Sequence, residues 1–313
     1  MQYQKEDLLQ CHRTITPYIH RTPVLTSQAL NKIAGAEIFF KCENFQRMGA
    51  FKMRGAAYAI LNLTDEQKAN GVVTHSSGNF AQAVALSAQI LGIKAYIVMP
   101  HNAPQVKKNA VQGYGGIITE CEPLIEVRQA TTDKIAAETG ASKLHPSNQV
   151  DVILGQGTAA MELLEDHPDL NIIMTPVGGG GLVAGTALAT HFLGKNCKTI
   201  GGEPFAADDA YRSLLSGKIE NNETANTIAD GLRTVLGNHN FPIIQQYVDK
   251  IIRVEEDEIV AAMRLIWERM KIIIEPSCAV PFAALLREKE QFAGQKIGIV
   301  LSGGNVDLGK LPF

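Results

Sequence analysis

The chain has 313 residues, 45% of them hydrophobic and 19% charged. This is the balance of an ordinary globular protein, large enough to bury a core without staples, and its length points to about two domains. A formal net charge of −3 and the lack of any basic run argue against nucleic-acid binding through phosphate neutralisation.

The N-terminal stretch MQYQKEDLLQCHRTI has neither an apolar segment nor a small-residue cleavage site, so no secretory signal is expected. The predicted elements then alternate. A strand at 38–41 precedes a helix at 54–61, a strand at 72–75 a helix at 81–91, and a strand at 95–99 a helix at 104–114. A strand at 117–120 is followed by helices at 125–139 and 155–164, and a strand at 172–177 by a helix at 182–192. A strand at 199–203, helices at 257–271 and 279–289, and a strand at 297–301 complete the pattern. The alternation predicts an α/β protein with open, mostly parallel, twisted sheets covered by helices, and the nearly pure apolar strands fit sheets covered on both faces. Residues 69–146 form a compact series read as a small domain, with 1–68 plus 147–313 as the large one. The most apolar region, 81–99, is interrupted by Gln82, Gln89, Gly92 and Lys94, which speaks against a membrane span. Five cysteines (Cys11, Cys42, Cys121, Cys197 and Cys278) lie far apart with no C-x-x-C. They fit free thiols in a reducing cytoplasm rather than a zinc or redox pair.

In open parallel sheets, ligands bind beyond the carboxyl ends of strands, so the segments just after each strand matter most. The strand at 172–177 runs into Gly178, Gly179, Gly180, Gly181 and Leu182 ahead of a helical period. Bare backbone N–H groups and a helix N-terminus there make a phosphate cradle, although a lone glycine run also fits a flexible turn. The same loop matches a dinucleotide fingerprint over 179–184, with Glu203 about 20 residues on, which leaves a nicotinamide-linked oxidoreductase open. In Gly49-Ala50-Phe51-Lys52-Met53-Arg54-Gly55, Lys52 lies among small and apolar residues just before a helix. Desolvation there would free its amine to attack a carbonyl, while in isolation a solvated lysine at a helix start fits better. The loop Ser76-Ser77-Gly78-Asn79 either caps the next helix or offers donors to a carboxylate. At the end of the last strand, Ser302-Gly303-Gly304-Asn305 is either a turn or a place of close backbone approach to a ligand.

Together and in this order, F-K-x-R-G, S-S-G-N, G-G-G-G-L and L-S-G-G-N resemble the fold-type II pyridoxal-phosphate enzymes, in particular the serine racemase and serine/threonine or 3-hydroxyaspartate dehydratase family. The resemblance spans nearly the whole chain. It implies that Lys52 carries the cofactor as a Schiff base and abstracts the Cα proton, that Phe51 packs near the ring and that Asn79 bonds the ring hydroxyl. It further implies that Gly178 to Leu182 hold the cofactor phosphate and that Ser302 bonds the pyridine nitrogen. A hydroxyl at that nitrogen leaves the ring a weaker electron sink, which favours expulsion of a β-leaving group. Ser76, Ser77, Asn79 and Arg128 are the implied substrate contacts. Ser77 is also the implied second acid/base for inversion, with a plain helix-cap serine as its alternative. Glu203, the Ala207 carbonyl and Asp209 resemble the racemase metal loop, whose oxygen donors suit Mg²⁺, Ca²⁺ or Mn²⁺. The family further implies a homodimer acting on a small amino-acid substrate. Phe80 replaces a common histidine and Ser147 a common asparagine, which bears on substrate preference. Arg128, if not simply an exposed helix residue, suits a second substrate carboxylate and thus 3-hydroxyaspartate. A non-catalytic binding module that kept the fold is the remaining alternative.

Overall fold

The computed structural model describes residues 3–313. Ten strands are formed: β1 (Val24–Leu25), β2 (Glu37–Cys42), β3 (Val72–Thr74), β4 (Ala95–Pro100), β5 (Ile117–Cys121), β6 (Ser142–Lys143), β7 (Ile172–Pro176), β8 (Lys198–Pro204), β9 (Val248–Val254) and β10 (Lys296–Leu301). They build a six-stranded sheet in the order β1-β2-β10-β7-β8-β9 and a four-stranded sheet in the order β5-β4-β3-β6. Every pairing is parallel except the antiparallel β1–β2. The chain is therefore α/β with two mostly parallel sheets, as the alternation of apolar runs and helical periods predicts.

The register aligns the carboxyl ends that carry the chemistry. Leu301 of β10 lies opposite Cys42 of β2, and Pro176 of β7 opposite Gly202 of β8. Segments leaving these strands consequently emerge along one edge of the larger sheet. β7 is buried along its whole length, and β10 from Ile297 onward, as helices on both faces require.

Several elements depart from the sequence expectation. The helix predicted at 155–164 begins five residues earlier, spanning Val150–Asp166, and its Gly155 and Gly157 serve as contact points. A Cβ on Gly157 would lie 2.5 Å from the Gly185 carbonyl oxygen, and one on Gly155 2.5 Å from the Gly55 Cα. Helices Lys52–Leu61, Val150–Asp166 and Gly181–Leu193 thus meet backbone to backbone. The edge strand β9 went unpredicted, since Asp249, Lys250 and Arg253 break its apolar run. The helix Lys5–Ile15 and the two-residue strands β1 and β6 were likewise not anticipated.

Candidate active site

Lys52 occupies the first position of the helix Lys52–Leu61, and its segment is stitched to the turn after β10. Phe51 N–H donates to the Ser302 carbonyl at 3.0 Å, Gly304 N–H to the Gly49 carbonyl at 2.9 Å, and Ala50 bridges Gly303. This pairing brings two of the four sequence motifs into contact. The Lys52 ammonium donates to the Pro146 carbonyl at 2.6 Å and lies 5.0 Å from the Phe51 ring centroid and 5.7 Å from that of Phe80. Burial lowers its pKa to about 8, against a raising influence from Glu275. A lysine held in this way supplies an appreciable fraction of neutral amine near neutral pH. Phe80, the departure from the common histidine, is buried and forms part of this apolar wall.

The glycine loop follows β7, and all four glycines are buried. A Cβ on Gly179 would lie 2.4 Å from Ser147 Oγ and 3.1 Å from Thr234 Oγ1, so only glycine permits those hydroxyls so close. Gly180 adopts φ +81°, the left-handed region, and serves as N-cap of the helix Gly181–Leu193. Bare N–H groups, neighbouring hydroxyls and a helix N-terminus are the donor set that suits a phosphate. The rival dinucleotide reading required Glu203 to reach a ribose. Glu203 is instead fully buried and accepts the backbone N–H groups of Ala210 at 3.0 Å and Tyr211 at 2.8 Å.

Asn79 begins the helix Asn79–Ile90, whose N-cap is Gly78, and no side chain caps it. Ser77 makes no side-chain cap bond to this helix. Ser76 Oγ accepts the Gly78 N–H at 3.4 Å, and Ser77 is half-buried. The Asn79 amide donates to both oxygens of Glu275, at 3.0 and 3.1 Å, while its own oxygen accepts from Asn305 at 2.9 Å. Asn305 also donates to the Met48 carbonyl at 2.9 Å. Glu275 was missed from sequence, although a lone carboxylate between Ile272-Ile273-Ile274 and Pro276 was a usable signal. Burial raises its pKa to about 7, with Asp230 adding to the rise and the Asn79 bond opposing it. Ser302 is buried at the end of β10, two residues before the glycine paired with Gly49.

A basic group surrounds the loop after β3. Arg128 is half-buried rather than exposed and donates to the His75 carbonyl at 3.0 Å. Its Nε and the His75 Nδ1 are buried without a partner among the described residues. His145 Nδ1 accepts the N–H groups of Ser147 and Asn148 at 3.2 and 2.8 Å. Although His145 keeps an exposed face, desolvation of its ring, with His75, Lys52 and His239 nearby, lowers its pKa to about 4, so the ring stays neutral.

At the end of β8, Glu203, Ala207 and Asp209 are all buried. Glu203 is pushed well above the carboxylate range by burial and then by Asp209, and burial raises Asp209 to about 6. Asp209 accepts from Asn222 at 2.6 Å and from the Leu236 N–H at 3.1 Å. Among the described residues no three His, Cys, Asp or Glu side chains gather as a metal site, so a cation here would also draw on backbone carbonyls and water. No described helix is long and apolar enough to cross a membrane.

The model of the family described as "Pyridoxal-phosphate dependent enzyme" matches residues 15–303. Serine racemase of Dictyostelium discoideum is 48% identical over 310 residues, covering 98% of this chain and 96% of the relative. The β-hydroxyaspartate dehydratase of Paracoccus denitrificans is 48% identical over 308 residues, covering 98% of each. The crystal structure of a threonine deaminase from T.th. superposes with a TM-score of 0.93 at 40% identity, covering 98% of this chain and 99% of that one. A phosphate-suited glycine loop and a desolvated lysine stitched beside Ser302 are features that fit the cofactor in the family's name, and the chain belongs to the pyridoxal-phosphate dependent enzymes.

Proposed function

We infer that this chain removes the Cα proton from small β-hydroxy amino acids (serine, threonine or 3-hydroxyaspartate). The outcome is loss of water to give an imine, which a second water hydrolyses to a 2-oxo acid and ammonia, or inversion at Cα. The observation that carries the reading is Lys52, whose amine is lowered to about 8 by burial and held where the segments at 49–52, 145–147 and 302–305 converge. Pyridoxal phosphate, when bound, supplies the electron sink that makes the Cα proton removable. Gly178, Gly179, Gly180, Gly181 and Leu182 would hold its phosphate, Phe51 and Asn79 its ring, Ser302 its ring nitrogen, and Lys52 its carbonyl carbon. Lys52 Nζ accepts the Cα proton on one face, and the Ser77 hydroxyl serves the other. Ser76, Ser77 and Asn79 bind the α-carboxylate.

Within this reading 3-hydroxyaspartate has a specific point in its favour. Arg128 Nε and His75 Nδ1 are buried with no partner among the described residues, which is rare for such groups and suits a second carboxylate. Two buried carboxylates, Glu203 and Asp209, without an ion-pair partner among the described residues suit Mg²⁺, Ca²⁺ or Mn²⁺, with the Ala207 carbonyl as a further ligand. The two sheets support a division into a small domain of 69–146 and a large domain of 1–68 plus 147–313. A homodimer in a reducing cytoplasm, consistent with five free thiols, completes the proposal.

The test is incubation of the yellow holoenzyme with L-serine, D-serine, L-threonine and the 3-hydroxyaspartate isomers, reading both 2-oxo acid and enantiomer. Turnover of at least one is expected. A colourless preparation, or one that binds cofactor and turns over none of them, overturns the reading.

A further inference from the structure

Asn240 stands at the N-cap position of the helix Phe241–Tyr247, where asparagine is among the best capping residues, yet its side chain makes no cap bond. It is fully buried and turned to the glycine loop instead. Its amide donates to the Gly179 carbonyl at 2.7 Å and to the Ser147 carbonyl at 3.2 Å. Its oxygen accepts the Gly237 N–H at 3.0 Å, which fixes the amide orientation. Gly180 packs directly on it, since a Cβ there would lie 2.8 Å from Asn240 Oδ1. Both bonds consume carbonyl oxygens. A carbonyl facing an anion repels it, and in this loop the Gly179 oxygen is tied back by a side chain. The second bond reaches Ser147, adjacent to Pro146, whose carbonyl accepts the Lys52 ammonium.

We propose that Asn240 is a positioning residue that pins the Gly179 carbonyl away from a bound phosphate and holds the glycine loop in register with the Lys52 segment. The inference rests on the cofactor assignment above and goes beyond it. Asn240 touches neither substrate nor reacting atoms, and its influence passes through the loop.

The test compares pyridoxal 5′-phosphate with unphosphorylated pyridoxal. Holoenzyme is prepared as wild type, Asn240→Ala and Asn240→Asp, stripped of cofactor and retitrated by absorbance. Asp fills nearly the same space but presents acceptors, not donors, to the two carbonyls. Both variants are expected to bind the phosphorylated cofactor about tenfold or more weakly, the scale of one or two buried hydrogen bonds, with pyridoxal affinity changed less than about twofold. Equal weakening of both ligands, or unchanged binding of both, overturns the proposal. Failure of both variants to fold also counts against it, because that is what a purely structural asparagine predicts. A wild-type protein that binds neither ligand sinks the cofactor assignment instead.

Discussion

Asn79 and Glu275, far apart in sequence, meet through two hydrogen bonds of 3.0 and 3.1 Å from one amide to both oxygens of one carboxylate. The pair joins the loop after β3 to the segment that leads into the helix Pro276–Arg287. Glu275 is buried, and its pKa stands near 7 rather than 4.5. The folded protein therefore retains a proton there that the unfolded chain releases, so stability falls as pH rises from about 4.5 to 7 and levels off above. The loss is about 3 kcal/mol. Denaturant midpoints of cofactor-free protein at pH 5 and pH 8 should show this decline, and Glu275→Gln should flatten it. An identical decline in the variant would assign it to other groups.

Lys52 should trap cofactor with a pH dependence centred near 8, because burial lowers its amine from the usual 10.5 to about 8. Capture of pyridoxal phosphate under borohydride, followed by peptide mass analysis, should rise through that pH and place the label on the peptide containing Lys52. Lys52→Ala should carry no label. A midpoint near 10 would mean a solvated lysine.

Ser77 is half-buried, and the helix that follows takes Gly78 as its N-cap, which leaves the Ser77 hydroxyl without a capping duty. Ser77→Ala should depress inversion of L-serine about tenfold or more beyond any loss of elimination, as removal of one acid/base group does. Parallel rate measurements of D-serine and pyruvate formation decide the matter. Equal loss of both products would remove Ser77 as the second-face acid/base.

Arg54, two residues beyond Lys52, is fully buried between two carboxylates. It donates to both oxygens of Glu43 at 2.8 Å and to those of Glu162 at 2.9 and 2.8 Å. Lys41 joins Glu162 at 2.7 Å, so two cations balance two anions. Removing one member strands a charge in the core. Arg54→Leu should lower unfolding free energy by about 3–5 kcal/mol in urea titrations. A loss below about 1 kcal/mol would mean that water reaches the cluster.

The parts of this molecule legible in its sequence follow from local rules. The alternation of apolar runs with helical periods gives two mostly parallel sheets, because strands covered on both faces must be apolar throughout. Gly178 to Gly181 and Lys52 stand out because they occur in one chain with the Ser76–Asn79 and Ser302–Asn305 segments, whereas alone the glycines fit a turn and the lysine a solvated helix start. Other features depend on residues that are remote in the chain. Glu275, Asn305 and Asn240 acquire meaning only from their partners Asn79 and Gly179, which no local pattern announces. Gly155 and Gly157 lie inside a helix legible in the sequence, but that they hold two other helices at backbone contact shows only in the fold. Composition and periodicity report what each segment buries. Which polar group faces which, and hence the pKa of Lys52 and Glu275, depends on folding distant segments onto one sheet edge, where loss of water makes each neighbour count.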